Sequence, residues 1–257
     1  MIGNYNYLIL RVMSIWKKIK KAVKKLLGLD DDNEIKYELV TDSLDTDVWD
    51  IVPKGPSMWN KFMGDKPEKC VGQGFTFKRF KAVRKRDTYH TSGYISKELY
   101  GDGKIEVVAR FKGGNSSWPA IWMSTRNGSK NYDDYYEIDL SEYYEKRPET
   151  ETTYHNPKSM RDASERMRSI RTKIKSEDWN TFTAEWNESF IKVFINGKCI
   201  FEFKNNGKAD EYPLKEEQRK FRIILSMQYG NDYLEPPVDA ELPLYMDVKS
   251  FKYWKKC

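Results

Sequence analysis

The chain has 257 residues, 14% of them aromatic (8 Trp, 17 Tyr, 12 Phe) and only 39% hydrophobic, with a formal charge of +6. That length suits one large β-sandwich or two small domains, and no run of about 18 apolar residues occurs, so no transmembrane helix is expected. Residues 1–29 carry seven cations and no acid, leaving the other 228 residues near −1; a body without excess positive charge disfavours nucleic-acid binding by the main domain. Cys70, Cys199 and Cys257 are too far apart and too few for a zinc pattern or a disulfide framework.

The first segment with a period is "SIWKKIKKAVKKLLGL". Ile15, Trp16, Ile19, Val23, Leu26 and Leu27 trace one helical face and six lysines the other. Gly28 and the acidic "DDDNE" run end it. Residues 1–35 therefore read as a basic amphipathic helical arm with an acidic linker. Such an arm suits a membrane surface or a protein partner; docking on its own domain, or a disordered basic arm, is the competing reading. It lacks the order of charges and the cleavage site of a secretory signal.

From residue 36 to 257 the period changes to two, which predicts a single β domain. "KIEVVARF" (104–111) alternates behind a "GDG" turn, and "FIKVFINGKCIFEF" (190–203) forms two alternating runs around Asn196-Gly197, the preferred pair for a tight hairpin. "FRIILSMQY" (221–229) and "LYMDVKSFKYW" (244–254) supply further strands, and a weak helical patch is expected near 159–170. Many short strands with turn-rich connections point to an all-β sandwich.

"YYEIDLSEYYE" (135–145) holds three carboxylates in six positions. On a regular strand Glu137 and Asp139 share a face, while Glu142, five positions from Glu137, points to the other. A β-bulge at Leu140 or Ser141 would return Glu142 to their side. Two readings follow. One is an acidic, solvent-facing strand. The other is a catalytic pair, for which a retaining glycosidase needs about 5–5.5 Å between carboxyl groups, with Asp139 between them holding the protons apart.

The hexapeptide "EIDLSE" resembles the Glu-x-Asp-x-x-Glu signature of glycoside hydrolase family 16 in the bulged form of its laminarinase-, agarase- and carrageenase-like members. The resemblance continues in order through "DSLDTDVWDI" (42–51), "TSGYISKELYGDGKIEVVARF" (91–111), "SSWPAIWMS" (116–124), "DWNTFTAEWNESFIKVFINGK" (178–198) and "LPLYMDVKSFKYWKK" (242–256). It implies a concanavalin A-like β-jelly roll of two curved antiparallel sheets with a sugar-binding cleft on the concave face. It also implies a retaining endo-acting hydrolase of a β-linked polysaccharide, with no cofactor required for the chemistry. Glu137 would be the nucleophile, Asp139 the assisting carboxylate and Glu142 the acid/base. Trp118 and Trp122 match sugar-stacking positions, with core packing as the alternative. His155 matches a histidine near the acid/base, or else is a loop residue. Trp186 is core or cleft floor, and Asp247 matches an aspartate that helps hold a structural calcium in many relatives.

The chain departs from the family pattern in three places. "NGSKNYDDYY" replaces the usual glycine-rich approach to the catalytic strand. The segment from Lys146 to Lys175, read as a loop, holds nine Lys or Arg against four acids; bordering the cleft, it would suit an anionic polysaccharide. The basic arm stands where relatives carry a secretion signal, which favours an extracellular, surface- or virion-associated protein. The rival classes are a lectin-like jelly roll with relic carboxylates and an attachment protein; transglycosylation shares the hydrolase's intermediate.

Overall fold

The computed structural model of the chain describes residues 35–55, 61–72, 74–125, 133–162 and 168–257. The basic helix expected at 15–27 lies outside them. The compact body spans Tyr37–Lys256.

Two layers make up this body. The front layer runs, in order across the sheet, β11 (Arg168–Lys173), β10 (Glu149–His155), β9 (Glu137–Glu142), β8 (Ser117–Ser124), β15 (Arg222–Tyr229) and β6 (Thr88–Ser96). The back layer continues with β5 (Phe75–Lys85), β16 (Leu244–Lys256), β7 (Gly103–Lys112), β12 (Asn180–Trp186), β13 (Phe190–Ile195) and β14 (Lys198–Lys204). Short strands β1 (Tyr37–Thr41), β2 (Trp49–Ile51), β3 (Met63–Asp65) and β4 (Glu68–Gly72) pair onto β16, β6, β6 and β5. The strand β6 joins the layers: its residues Thr88–Thr91 pair with β5, while Gly93–Ile95 pair with β15. The sheet is thereby folded over on itself, as expected of a jelly-roll sandwich.

Alternation drives this arrangement. Along β7 every second residue (Gly103, Ile105, Val107, Ala109, Phe111) is buried. From the front layer Ile138, Leu140, Tyr154 and Ile223 meet them in one core. Burying each large apolar side chain contributes roughly 1.5–3 kcal/mol, so a one-residue slip of any central strand would expose its whole set. The hairpin between β13 and β14 closes on Asn196 and Gly197, with φ of 51° and 79°, both in the left-handed region that this turn demands.

Two sequence expectations are corrected. The helical patch near 159–170 is instead a five-residue helix, α1 (Pro157–Arg161), capped reciprocally by Asn156 and Ser159; from Arg168 the chain is the strand β11. The segment from Lys146 to Lys175 is accordingly no single loop, because Glu149–His155 and Arg168–Lys173 within it form the antiparallel pair β10–β11. Thr150, Thr152, Thr153 and Ile170 suit a strand, and their pairing overrides the helix signal.

Asp247 is fully buried on β16. Arg79 grips both its oxygens, Nε to Oδ1 at 2.6 Å and Nη2 to Oδ2 at 2.8 Å, and Arg110 Nε donates to Oδ2 at 3.0 Å. Calcium needs six to eight oxygen ligands, whereas this carboxylate is surrounded by two guanidinium groups. The donor set does not fit the calcium expected there. Replacing Asp247 with Ala should cost about 2–3 kcal/mol in denaturant unfolding, since it strands two half-buried cations, and EDTA should leave wild-type melting unchanged. A melting temperature that falls on chelation would reverse this assignment.

Candidate active site

The cleft face of β9 depends on its register against both neighbours. On β8, Ala120, Ile121 and Trp122 lie opposite Glu142, Ser141 and Asp139, which skips Leu140; on β10, Glu151 and Thr153 lie opposite Glu142 and Asp139, which leaves Thr152 facing two residues. This is a β-bulge at Leu140–Ser141. Ile138, Leu140 and Ser141 are buried toward the core, while Glu137, Asp139 and Glu142 share the opposite face. The bulge thus places the three carboxyl groups on one face as the sequence predicts, and the solvent-facing reading fails because Asp139 is only 4% exposed.

His155, opposite Glu137 on β10, completes the group. Its Nε2 lies 2.9 Å from Asp139 Oδ2 and 3.5 Å from Glu137 Oε1, and its Nδ1 is buried without a partner among the described residues. The proton therefore belongs on Nε2, where the carboxylates accept it. Tyr135 donates its hydroxyl to Glu137 Oε2. At the other end, Trp118 Nε1 donates to Glu142 Oε1 at 3.0 Å, and Tyr144 bonds the same carboxyl while its ring lies 5.0 Å from that of Trp118.

Burial pushes the Glu142 carboxyl well above the ordinary carboxylate range, and the charge of Asp139 adds to this, against the smaller pull of Tyr144 and His155. Asp139 is likewise pushed up, by burial first and by Glu151 second. Burial and the adjoining carboxylates raise the Tyr135 and Tyr144 phenols too, so both remain donors. One carboxyl group with a phenol donor beside another pushed toward its protonated form is the division of labour that acid/base chemistry needs.

Comparison with known proteins accords with this geometry. The family profile "Glycosyl hydrolases family 16" matches residues 65–237. The chain belongs to glycosyl hydrolase family 16. Over 252 residues it is 25% identical to a keratan-sulfate endo-1,4-beta-galactosidase of Sphingobacterium multivorum, covering 91% of this chain and 59% of that protein. It is 28% identical over 139 residues to a beta-glucanase of Rhodothermus marinus, covering 50% of this chain and 48% of the other. The chain thus spans about half the length of the curated relatives it matches. The crystal structure of a laminarinase from Flavobacterium sp. UMI-01 superposes with a TM-score of 0.72 at 21% identity, covering 85% of this chain and all of that one; this shows the shared fold.

Within this family 16 cleft the remaining expected residues separate. Trp118 stands beside Glu142. Trp122 is half-buried, packs on the cluster of Val52, Met63 and Ile224, and donates Nε1 to Ser226 Oγ at 3.2 Å, so it is cleft floor. Trp186 belongs to the core, its Nε1 bonded to the Arg219 carbonyl at 3.0 Å. Sequence reasoning missed Tyr135 and Tyr144. The signal was present, because each lies two positions from the carboxylate it serves and so shares its face. Gln228 was missed too. It lies opposite Trp118 on β15, 4% exposed, with Oε1 unpartnered among the described residues, and only strand pairing reveals it.

A carboxyl group whose folded pKa lies above its unfolded value stabilises the fold at low pH, and this stability is lost as pH rises from its ordinary value, 4.5 for Glu142, toward the raised one. Glu142→Gln removes that loss while keeping an oxygen for Trp118. The variant should melt a few degrees above wild type at neutral pH, the gap closing below about pH 4. Equal melting at both pH values would contradict the raised carboxyl.

Proposed function

We propose that this chain is a retaining, endo-acting hydrolase of a β-linked polysaccharide. Glu137 attacks the anomeric carbon as the glycosidic C–O bond breaks, and Glu142 passes its proton to the departing oxygen. Glu142, now a carboxylate, takes a proton from water, whose oxygen attacks the anomeric carbon and displaces Glu137. Asp139 and His155 hold the Glu137 end, limiting how many of the three acids ionise together. The observation that carries the reading is the bulged register, with hydrogen-bonded Glu137 and proton-holding Glu142 on one face.

Substrate class follows from the relatives and the cleft walls. An endo-1,4-beta-galactosidase aligned over nearly the whole chain supports a β-linked galactan backbone, and the laminarinase and beta-glucanase relatives make a β-glucan the alternative. The ring of Trp118 offers the sugar a stacking face beside the proton donor.

The test is reducing-end release from a panel of β-linked galactans and β-glucans by wild type and Glu137→Gln. Activity on one class should fall by roughly three orders of magnitude or more in the variant. The wild-type rate should decline on the alkaline side as Glu142 loses its proton. A Glu137→Gln protein as fast as wild type would rule out the nucleophile; silence of wild type across the panel would rule out the reading.

A further inference from the structure

The acid/base sits in a row that crosses the front layer. Strand pairing sets Ala120, Glu142, Glu151 and Arg171 side by side on β8, β9, β10 and β11, and the next row on β10 and β11 is Glu149 and Lys173. Directly opposed residues of antiparallel strands share a face, and strands lie ~4.8 Å apart. Arg171 and Lys173 therefore stand on the cleft face, about 10 Å from the acid/base strand. Arg147, in the turn that leads into β10, holds its guanidinium 5.4 Å from the centre of the Tyr144 ring, whose neighbour is Trp118.

Carboxylates and cations occupy different heights in this corner. Glu151 and Glu145 are 21% and 15% exposed, while their partners Arg171 and Arg147 are 60% and 50% exposed, with contacts of 3.3 and 4.0 Å. The acids lie low and the guanidinium groups stand above them. Arg171 meets Glu151 through Nε alone, leaving its two terminal nitrogens without a partner among the described residues. Lys173 is exposed. A ligand entering the cleft from this side meets cations first, two of them with the planar fork that suits an oxyanion.

We propose that Arg147, Arg171 and Lys173 form a binding site for an anionic substituent, a sulfate ester or a uronate carboxylate, on the glycan unit next to Glu142. The inference rests on the hydrolase reading for its glycan, and it makes these three residues determinants of specificity rather than of bond cleavage. Long cationic side chains at the rim gain little from a neutral hydroxyl and more from a charged group, at most about fivefold each when exposed.

The test uses the folded but inactive Glu137→Gln protein, with dissociation constants measured at low salt by titration calorimetry. The probes are a sulfated β-linked galactan, the same polymer after chemical desulfation, and a β-linked polyuronate. Either the sulfated galactan or the polyuronate should bind about tenfold more tightly than the desulfated polymer, and which of them does so names the substituent. Adding Arg147→Gln, Arg171→Gln and Lys173→Gln should abolish that preference and spare binding of the neutral polymer. A control removing exposed Lys198, Lys204 and Lys255 from the other layer should change it by less than twofold. Equal binding of charged and neutral polymers overturns the proposal, as does an equal loss in the control, which would mark general polyanion attraction. Both outcomes leave Glu137-dependent hydrolysis intact, so they are distinct from failure of the hydrolase reading.

Discussion

Leu140 has no partner on β8, and on β10 Thr152 stands against both Leu140 and Ser141; this single insertion decides which side of the sheet Glu142 and everything after it occupy. A bulge leaves ladder groups unpaired, and each buried one costs free energy if unsatisfied. Three hydroxyls meet that cost here. Thr152 donates to the Leu140 carbonyl at 2.8 Å, Thr150 to the Glu142 carbonyl at 3.2 Å, and Ser141 and Thr150 share a bond of 2.6 Å. The threonines of β10 are thus part of what allows β9 to carry three acids on one face while Ile138 and Leu140 stay in the core.

With the face settled, electrostatics assigns the roles. Three carboxyl groups and an imidazole in a half-buried cleft cannot all be charged. Glu137 has a phenol donor and the histidine; Glu142 has Trp118 and Tyr144, yet burial raises its carboxyl. The same fold that makes the site works against it: burying Asp139 and Glu142 holds protons there that solvent would otherwise take up. Stability is spent to shift an acid toward its protonated form, a trade common at catalytic sites.

Much of this was legible in sequence, and the exceptions share one cause. Period-two runs gave β7, β13, β14, β15 and β16 nearly to the residue, because alternation is local. The hexapeptide 137–142 contained both the acids and the odd offset that demands a bulge. What local reading does not reach is pairing between distant segments. Asp247 meets Arg79 and Arg110, 168 and 137 positions away, so its guanidinium cage was invisible and a calcium ion took its place in the expectation. Gln228 reaches the cleft only through β15 lying beside β8. The segment 146–175 looked like a loop because its charges mask alternation; once β10 pairs with β9, Thr150 and Thr152 turn to the core and Glu149 and Glu151 to the cleft.

That last segment also separates chemistry from recognition in the fold. The candidate reacting groups lie on β9, flanked on both sides, where register is over-determined and side chains are short of room. The strand β11 is the outer edge of the front layer among the described residues, and an edge tolerates long charged side chains. Edge strands also gain from charge because it discourages pairing with another chain. That requirement does not choose a face, and β11 carries cations on both: Arg171 and Lys173 share the cleft side with Glu151 and Glu149, while Arg168 stands in register with Tyr154, in line with Ile170 and Thr172. Protection of the edge accounts for charge on either face of β11; a charged sugar crossing the strands from Trp118 would engage the cleft-side pair, Arg171 and Lys173, which share their rows with Glu151 and Glu149.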